Sequence, residues 1–165
     1  MGVSGCGKST VARGLADALG LRFADADDFH PPENVESMRA GVPLDDRARR
    51  PWLRALAAWM AERADEGFPT VLACSALTRD HRDLLREGAP AVAFVHLDGP
   101  ADVVAARLAG RTGHFMPSSL LASQHATLEP LGADEEGVVL DLREDPETLV
   151  AQAAAWVSAG VPSEG

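Results

Sequence analysis

The chain has 165 residues, a length that fits one compact domain around a single hydrophobic core. Its net charge of -10 disfavours nucleic acid as a partner, because an acidic surface repels the phosphate backbone. No run of sequence approaches the roughly 18 apolar residues of a membrane-spanning helix. The two cysteines make no disulfide framework, and no leader segment is apparent, so we expect a cytoplasmic protein with neither membrane nor nucleic acid as partner.

The first residues, MGVSGCGKST, contain a phosphate-binding loop. Gly2 to Ser9 match the pattern G-x-x-x-x-G-K-S/T, whose glycines let backbone N–H groups converge on phosphate oxygens. Lys8 is expected to reach the β- and γ-phosphates of a nucleotide, and the Ser9 hydroxyl is expected to bind Mg²⁺. The predicted nucleotide-binding residues are Gly2, Ser4, Gly5, Cys6, Gly7, Lys8 and Ser9.

Helix and strand signals alternate along the rest of the chain. Apolar residues at helical spacing predict a first helix over residues 8–19, and LRFADAD predicts a short strand that ends in carboxylates. A short helix follows in HPPENVESMRAG, and a longer one is expected to begin at Pro51 and to end at Gly67. Further strands are predicted at about residues 70–74, 91–97 and 138–142, and further helices in RDHRDLLREG, in ADVVAARLAGR and after Asp145.

This alternation predicts an α/β protein with a parallel β-sheet sandwiched by helices, the P-loop NTPase fold, as one domain over residues 1–165. Residues 108–131 are irregular and rich in Gly, Pro and Ser, so we interpret them as a lid with short helical pieces. The fold calls for one more strand ahead of Gly2. We therefore expect that the first strand is truncated here and that the natural protein begins upstream of Met1.

Two carboxylates follow the first predicted strand. Asp25 and Asp27 are two residues apart, so their side chains point to the same side, and strand ends beside a phosphate loop face the ligand crevice. Asp25 is expected to hold Mg²⁺ or its water shell, and Asp27 to accept or orient the proton of a substrate hydroxyl. A solvated acidic turn is the alternative, in a chain with 25 Asp and Glu residues.

Four arginines are candidates for binding anions. Arg107 and Arg111 are four residues apart on a predicted helix that leads into the lid, where they could close over a transferring phosphoryl group or form surface ion pairs. Arg49 and Arg82 could bind a substrate carboxylate with two hydrogen bonds each. Isolated arginines are more often solvated, and spacing alone does not choose between these roles.

The motifs narrow the class of nucleotide-using protein. Switch GTPases carry an N-K-x-D motif that this sequence lacks, and Ser75 stands where motor and transporter ATPases carry an acidic residue. Small-metabolite kinases and nucleotide kinases remain. A kinase acting on shikimate or on a nucleoside monophosphate stays open, as does a nucleotide-binding protein without catalysis.

Several segments taken together resemble the gluconokinases, which are small P-loop kinases related to shikimate kinases and nucleoside monophosphate kinases. These segments are MGVSGCGKS, DADDFHPPENVESMRAGVPLDD, RRPWL, CSALTRDHRDLLRE, RLAGRTGHFMPSSLLASQHATLEP and VVLDL. The resemblance implies transfer of a phosphoryl group from ATP, with Mg²⁺, to the 6-hydroxyl of D-gluconate. It also implies a cytoplasmic homodimer that supplies 6-phosphogluconate to routes such as the pentose phosphate pathway.

The resemblance also implies roles by position. Thr10 joins the ATP loop, and Asp27 is the acid near the acceptor hydroxyl. The residues expected to line the sugar-acid pocket are His30, Arg49 and Arg82, and those expected to belong to the lid are Arg107, Arg111 and His114. The expected catalytic residues are Lys8, Asp27 and Arg111.

Overall fold

The computed structural model describes residues 1–109 and 118–160. In these ranges the strands are β1 (Arg22–Asp25), β2 (Thr70–Ala73), β3 (Phe94–Asp98) and β4 (Gly137–Asp141), and a short 3₁₀ helix covers Ala26–Phe29. The α-helices are α1 (Lys8–Leu19), α2 (Pro32–Arg39), α3 (Asp46–Asp65), α4 (Arg79–Gly88), α5 (Ala101–Ala109), α6 (Ser118–Thr127) and α7 (Pro146–Gly160). None of the helices described combines the length and the hydrophobicity that crossing a bilayer requires.

The strands form two parallel pairs. β1 pairs with β2, with Arg22 opposite Thr70, and β3 pairs with β4, with Phe94 opposite Gly137. Parallel pairing places the carboxyl ends of neighbouring strands at the same edge of the molecule. The parallel arrangement predicted from the alternation of helices and strands is confirmed.

Met1 and Gly2 lie between the two strand pairs and position the phosphate loop. The Met1 amino group donates to the carbonyl of Val95, and the Leu97 N–H donates to the carbonyl of Met1 at 3.0 Å. The Gly2 N–H donates to the carbonyl of Ser75, just beyond β2, at 3.2 Å. A mostly apolar cavity of about 420 Å³ lies beside Met1 between β2 and β3. The loop therefore starts at the carboxyl ends of β2 and β3; an upstream start of the natural protein stays a prediction.

Helices cover both faces of the strands. Neighbouring strand residues point to opposite faces, so Val71 and Val95 pack into one hydrophobic core while Leu72 and Phe94 pack into another. The first core receives Val11 and Leu15 of α1, Val104 of α5, and Leu149 and Ala153 of α7. The second core receives Trp52, Leu53 and Leu56 of α3, and Leu84 and Leu85 of α4. These two layers of helices agree with the predicted architecture.

Some predicted boundaries are wrong. Helix α3 begins at Asp46, because the Asp45 side chain caps it by accepting a hydrogen bond from the Ala48 N–H at 2.9 Å. Pro51 thus lies inside the helix rather than at its start. Strand β3 begins at Phe94, three residues later than expected. Within the predicted lid, residues 118–127 form helix α6, which agrees with the short helical pieces expected there.

Arg82 is fully buried in the first turn of α4 and forms two hydrogen bonds with the carboxylate of Glu135. Its Nε donates to Glu135 Oε1 at 2.7 Å and its Nη2 donates to Oε2 at 2.8 Å. The same guanidinium also donates to the backbone carbonyls of Ala76, Leu77, Glu129 and Pro130. The expectation that Arg82 binds substrate is therefore corrected: its donors are used inside the fold, where they join α4 to the segment after α6.

The paired carboxylate is strongly stabilised in its ionised form. Hydrogen bonds from Arg82, the largest cause, and from the Gly132 N–H lower the pKa of Glu135 to about 2. This pKa is lower than in an unfolded chain, so the ion pair stabilises the fold fully above about pH 4.5 and progressively less as the pH falls toward 2.

Replacing Glu135 with Gln is expected to lower the free energy of unfolding at pH 7 by about 3–5 kcal/mol, because Arg82 is left as a buried charge without its counter-ion. The loss is measured by urea denaturation. The matched control is Asp134→Asn, whose exposed carboxylate pairs with Arg79 and whose loss should be much smaller. Equal losses in both variants, or a difference from wild type that persists unchanged at pH 3, would contradict this account.

Candidate active site

The phosphate loop has a backbone that only glycine adopts readily. Gly5 and Gly7 have φ angles of 84° and 106°. A Cβ on Gly5 would also lie 2.6 Å from Cγ of Leu108 on α5. Gly7 is the N-cap of α1 and immediately precedes its first residue. The loop therefore delivers its N–H groups and the positive end of α1 to one place, as anion binding requires.

Two hydrogen bonds orient the side chains and the backbone of the phosphate loop. The Lys8 ammonium donates to the carbonyl of Val3 at 2.8 Å, so the lysine lies across its own loop. The Ser4 N–H donates to the side-chain oxygen of Gln124 on α6 at 2.6 Å. Lys8 is thus held against the backbone of the loop, at the edge of the cavity described below.

A cavity of about 190 Å³ joins the loop to the acidic strand end. Its lining from the loop and α1 consists of Ser4, Gly5, Gly7, Lys8 and Ser9. The remaining walls include Asp25, Asp27, His30, Arg49 and Trp52, with Met38, Leu44, Ala73, Ser75, Leu108 and Gln124. Most of the predicted phosphate-binding residues, though not Gly2 or Cys6, therefore share one space with most of the predicted substrate-binding residues.

Ser9 and Asp25 form the candidate Mg²⁺ site. The Ser9 hydroxyl donates to Asp25 Oδ2 at 2.7 Å, and Asp25 Oδ1 accepts the Asp27 N–H at 3.1 Å. Oxygen donors of this kind suit Mg²⁺, which typically keeps several waters and substrate phosphates as ligands. In the part of the chain that the structure describes, no cluster of three or more His, Cys, Asp or Glu side chains could hold a metal alone. The two residues fit a magnesium ion that arrives with a nucleotide.

His30 is held against an aromatic wall. Its ring stacks on Trp52 with centroids 4.1 Å apart and planes 15° from parallel, and the Trp52 Nε1 donates to the carbonyl of Ala26 at 2.9 Å. Burial, followed by the nearby charge of Arg49, lowers the pKa of His30 to about 4. The imidazole is therefore uncharged at neutral pH and lies 4.0 Å from Asp27 Oδ1, measured from Nε2.

Arg49 brings a second cation, besides Lys8, to the cavity wall. Its Nε donates to the carbonyl of Leu44 at 2.9 Å, which orients the guanidinium, and burial lowers its pKa from the ordinary value. The pKa of the neighbouring His81 is also lowered, by burial and by the charge of Arg49. A half-buried guanidinium of this kind can bind a carboxylate with two hydrogen bonds.

Other predicted site residues lie elsewhere. Arg107 reaches the loop but not the cavity, since it donates to the carbonyls of Cys6 and Leu142 and thereby joins the loop to the segment after β4. Thr10 is exposed on α1, and the Cys6 thiol is buried beneath the loop. Arg82 is buried in its pair with Glu135. Arg111 and His114 fall outside the described residues.

The sequence did not single out Trp52 or Gln124. Trp52 lies in an amphipathic helix, where an aromatic residue normally indicates core packing. Gln124 lies in a segment without clear periodicity, and its partner Ser4 is 120 residues away. Both residues occur in segments that carry the family resemblance, RRPWL and LASQ, which is the one signal that points to them.

Comparison with known proteins extends these observations. The protein family described as "AAA domain" matches residues 1–131. A gluconokinase of Gluconobacter oxydans (strain 621H) is 47% identical over 150 residues, which cover 91% of this chain and 84% of that protein.

Solved structures give the same picture. A sugar kinase from Janibacter sp. HTCC2649 is 58% identical, with a TM-score of 0.93 over 97% of this chain and 92% of that one. A gluconokinase from Sinorhizobium meliloti 1021 is 45% identical, with a TM-score of 0.89 over 98% of this chain and 90% of that one. The predicted α/β kinase fold is confirmed over almost the whole chain.

Proposed function

This chain belongs to the gluconokinase family, and we propose that it phosphorylates D-gluconate with ATP to give 6-phospho-D-gluconate and ADP. The observation that carries the proposal is the single cavity in which the phosphate loop meets Asp27, His30 and Arg49. The bond between the γ-phosphorus and its bridging oxygen breaks, and a bond from the 6-oxygen of gluconate forms in line with it.

The nucleotide is held by the backbone of the loop. The β- and γ-phosphates accept the loop N–H groups, and Lys8 exchanges the carbonyl of Val3 for a phosphate oxygen. This exchange replaces a hydrogen bond to a neutral acceptor with one to an anion, so it favours the bound state. Ser9 and Asp25 would hold a magnesium ion together with the phosphates, and the ion would supply charge neutralisation at the phosphoryl group.

The acceptor is held by the opposite wall. Arg49 binds the carboxylate of gluconate, and the uncharged His30 hydrogen-bonds to hydroxyl groups without adding a charge. Asp27, whose N–H is fixed by Asp25, takes the proton of the 6-hydroxyl as the new bond forms. Positioning and charge stabilisation supply most of the acceleration.

The lid completes the site in this proposal. Arg111 would stabilise the charge of the transferring phosphoryl group, and His114 would contact the acceptor; residues 108–131 would close over both substrates. Arg107 would support this closure from α5 by holding the loop in place.

The cellular setting is also part of the proposal. The free thiols Cys6 and Cys74 are both buried, which suits a reducing compartment, so we assign the chain to the cytoplasm. The single domain over residues 1–165, the homodimer and the supply of the pentose phosphate pathway stay predictions that the family resemblance supports.

The experiment that tests the proposed function is a coupled assay of ADP release with Mg²⁺ and ATP. D-Gluconate, shikimate and AMP are offered separately as acceptors at equal concentration. We expect release with gluconate alone, because the relatives of this chain are gluconokinases; Arg49 and His30 suit a polyhydroxylated monoanion, a description that fits shikimate as well. Preferential turnover of shikimate or AMP would assign the chain to another kinase class, and ATP binding without any turnover would indicate a non-catalytic protein.

Replacing Arg49 with Met should raise the KM for gluconate by roughly 10- to 100-fold, because a charge-assisted hydrogen bond to the carboxylate is lost. The KM for ATP should stay close to that of wild type. The control is Arg50→Met, which removes a half-exposed arginine paired with Asp80 at 3.7 Å and should leave both constants unchanged. An unchanged KM for gluconate in Arg49→Met would rule out this carboxylate contact.

A further inference from the structure

Gln124 occupies a hydrogen-bonding position of the phosphate loop. Its side-chain oxygen Oε1 accepts the Ser4 N–H at 2.6 Å, and its side chain lines the same cavity as Lys8 and Ser9. Ser4 lies between Gly2 and Gly5, in the stretch whose N–H groups the loop presents to anions. An amide oxygen from a distant helix thus occupies one of the backbone N–H groups of the loop.

The packing of α6 against the loop fixes the position of Gln124. Leu121, one helical turn earlier on α6, is buried in the core that also contains Val3 and Cys6 of the loop. Beyond α6, the Glu129 N–H donates to the carbonyl of Leu77 at 2.8 Å. Helix α6 is therefore fixed to the loop on one side and to the segment before α4 on the other.

We propose that Gln124 is a displaceable substitute for a phosphate oxygen, and that it sets the affinity of the empty loop for nucleotide. One N–H cannot make a full hydrogen bond to both the amide oxygen and a phosphate, so nucleotide binding must break the contact between Ser4 and Gln124. The phosphate displaces the amide oxygen because its own hydrogen bond is charge-assisted. The apparent affinity for nucleotide is nevertheless reduced, because the contact between Ser4 and Gln124 must be broken first. Lys8, bound to the Val3 carbonyl, is satisfied within the loop in the same way.

The inference rests on the proposed use of ATP and deepens it. A displaceable Gln124 and a merely structural Gln124 predict opposite changes in nucleotide affinity when the residue is replaced. Loss of a supporting residue would weaken nucleotide binding, whereas loss of a competitor strengthens it. A glutamine that stays in place and donates its amide N–H to phosphate would likewise give weaker binding when removed.

The experiment measures the dissociation constant of the non-hydrolysable analogue AMPPNP with Mg²⁺ by calorimetry, without gluconate. In Gln124→Ala and in Gln124→Met, which keeps the side-chain volume, binding should be about two- to tenfold tighter than in wild type. In Gln124→Glu the acceptor remains and gains a negative charge, so binding should be weaker than in wild type. Gln152→Ala, at an exposed position on α7, is the control and should bind as wild type does.

Each result separates the inference from the function on which it rests. If wild type binds AMPPNP and both Gln124→Ala and Gln124→Met bind it equally or more weakly, the substitute role is refuted while the kinase proposal stands. If wild type itself binds no AMPPNP, the use of ATP fails and this inference fails with it. Circular dichroism and a thermal melt confirm that each variant is folded before binding is measured.

Discussion

The hydrogen bond between Ser9 and Asp25 connects the two halves of the candidate site. Ser9 stands in the first turn of α1, directly after the phosphate loop, and Asp25 is the last residue of β1. The second carboxylate oxygen of Asp25 accepts the N–H of Asp27 and thereby caps the 3₁₀ helix that presents Asp27 and leads to His30. A single carboxylate thus sets the spacing between the place for the phosphoryl donor and the place for its acceptor.

The charge of the cavity is balanced although the chain as a whole is acidic, because its lining contains two cations, Lys8 and Arg49, beside two carboxylates, Asp25 and Asp27. The net charge is -10, yet the proposed substrates are both anions. The cavity offsets the overall charge locally with the N–H groups of the loop, the positive end of α1, Lys8 and Arg49. Because its pKa is lowered to about 4, His30 adds no charge at neutral pH, so it can distinguish hydroxyl groups without binding anions indiscriminately.

Much of the fold and one half of the site could be predicted from the sequence, because these features depend on local patterns. The loop motif, the apolar spacing of α1 and the two-residue spacing of Asp25 and Asp27 each involve neighbours in the chain. The start of α3 was missed because its cap, Asp45, precedes the first apolar residues of the helix.

The remaining features depend on contacts between distant residues. The same role, binding of a substrate carboxylate, was predicted for Arg49 and Arg82. In the structure Arg82 is buried and pairs with Glu135, 53 residues away, whereas Arg49 lines the cavity. Nothing near Arg82 in the chain indicates this partner. Gln124 and Ser4 are separated by 120 residues, and their hydrogen bond becomes apparent only when α6 packs beside the loop.

The proposed mechanism requires Asp27 to face the phosphoryl donor across the cavity and to take the proton of the acceptor. Steady-state kinetics of Asp27→Asn with gluconate and ATP test it most directly, with Asp28→Asn, the adjacent exposed acid, as the matched control. We expect kcat to fall by at least about 100-fold in Asp27→Asn while the KM for ATP changes little, and we expect Asp28→Asn to behave as wild type. An unchanged kcat in Asp27→Asn, or an equal fall in both variants, would contradict it.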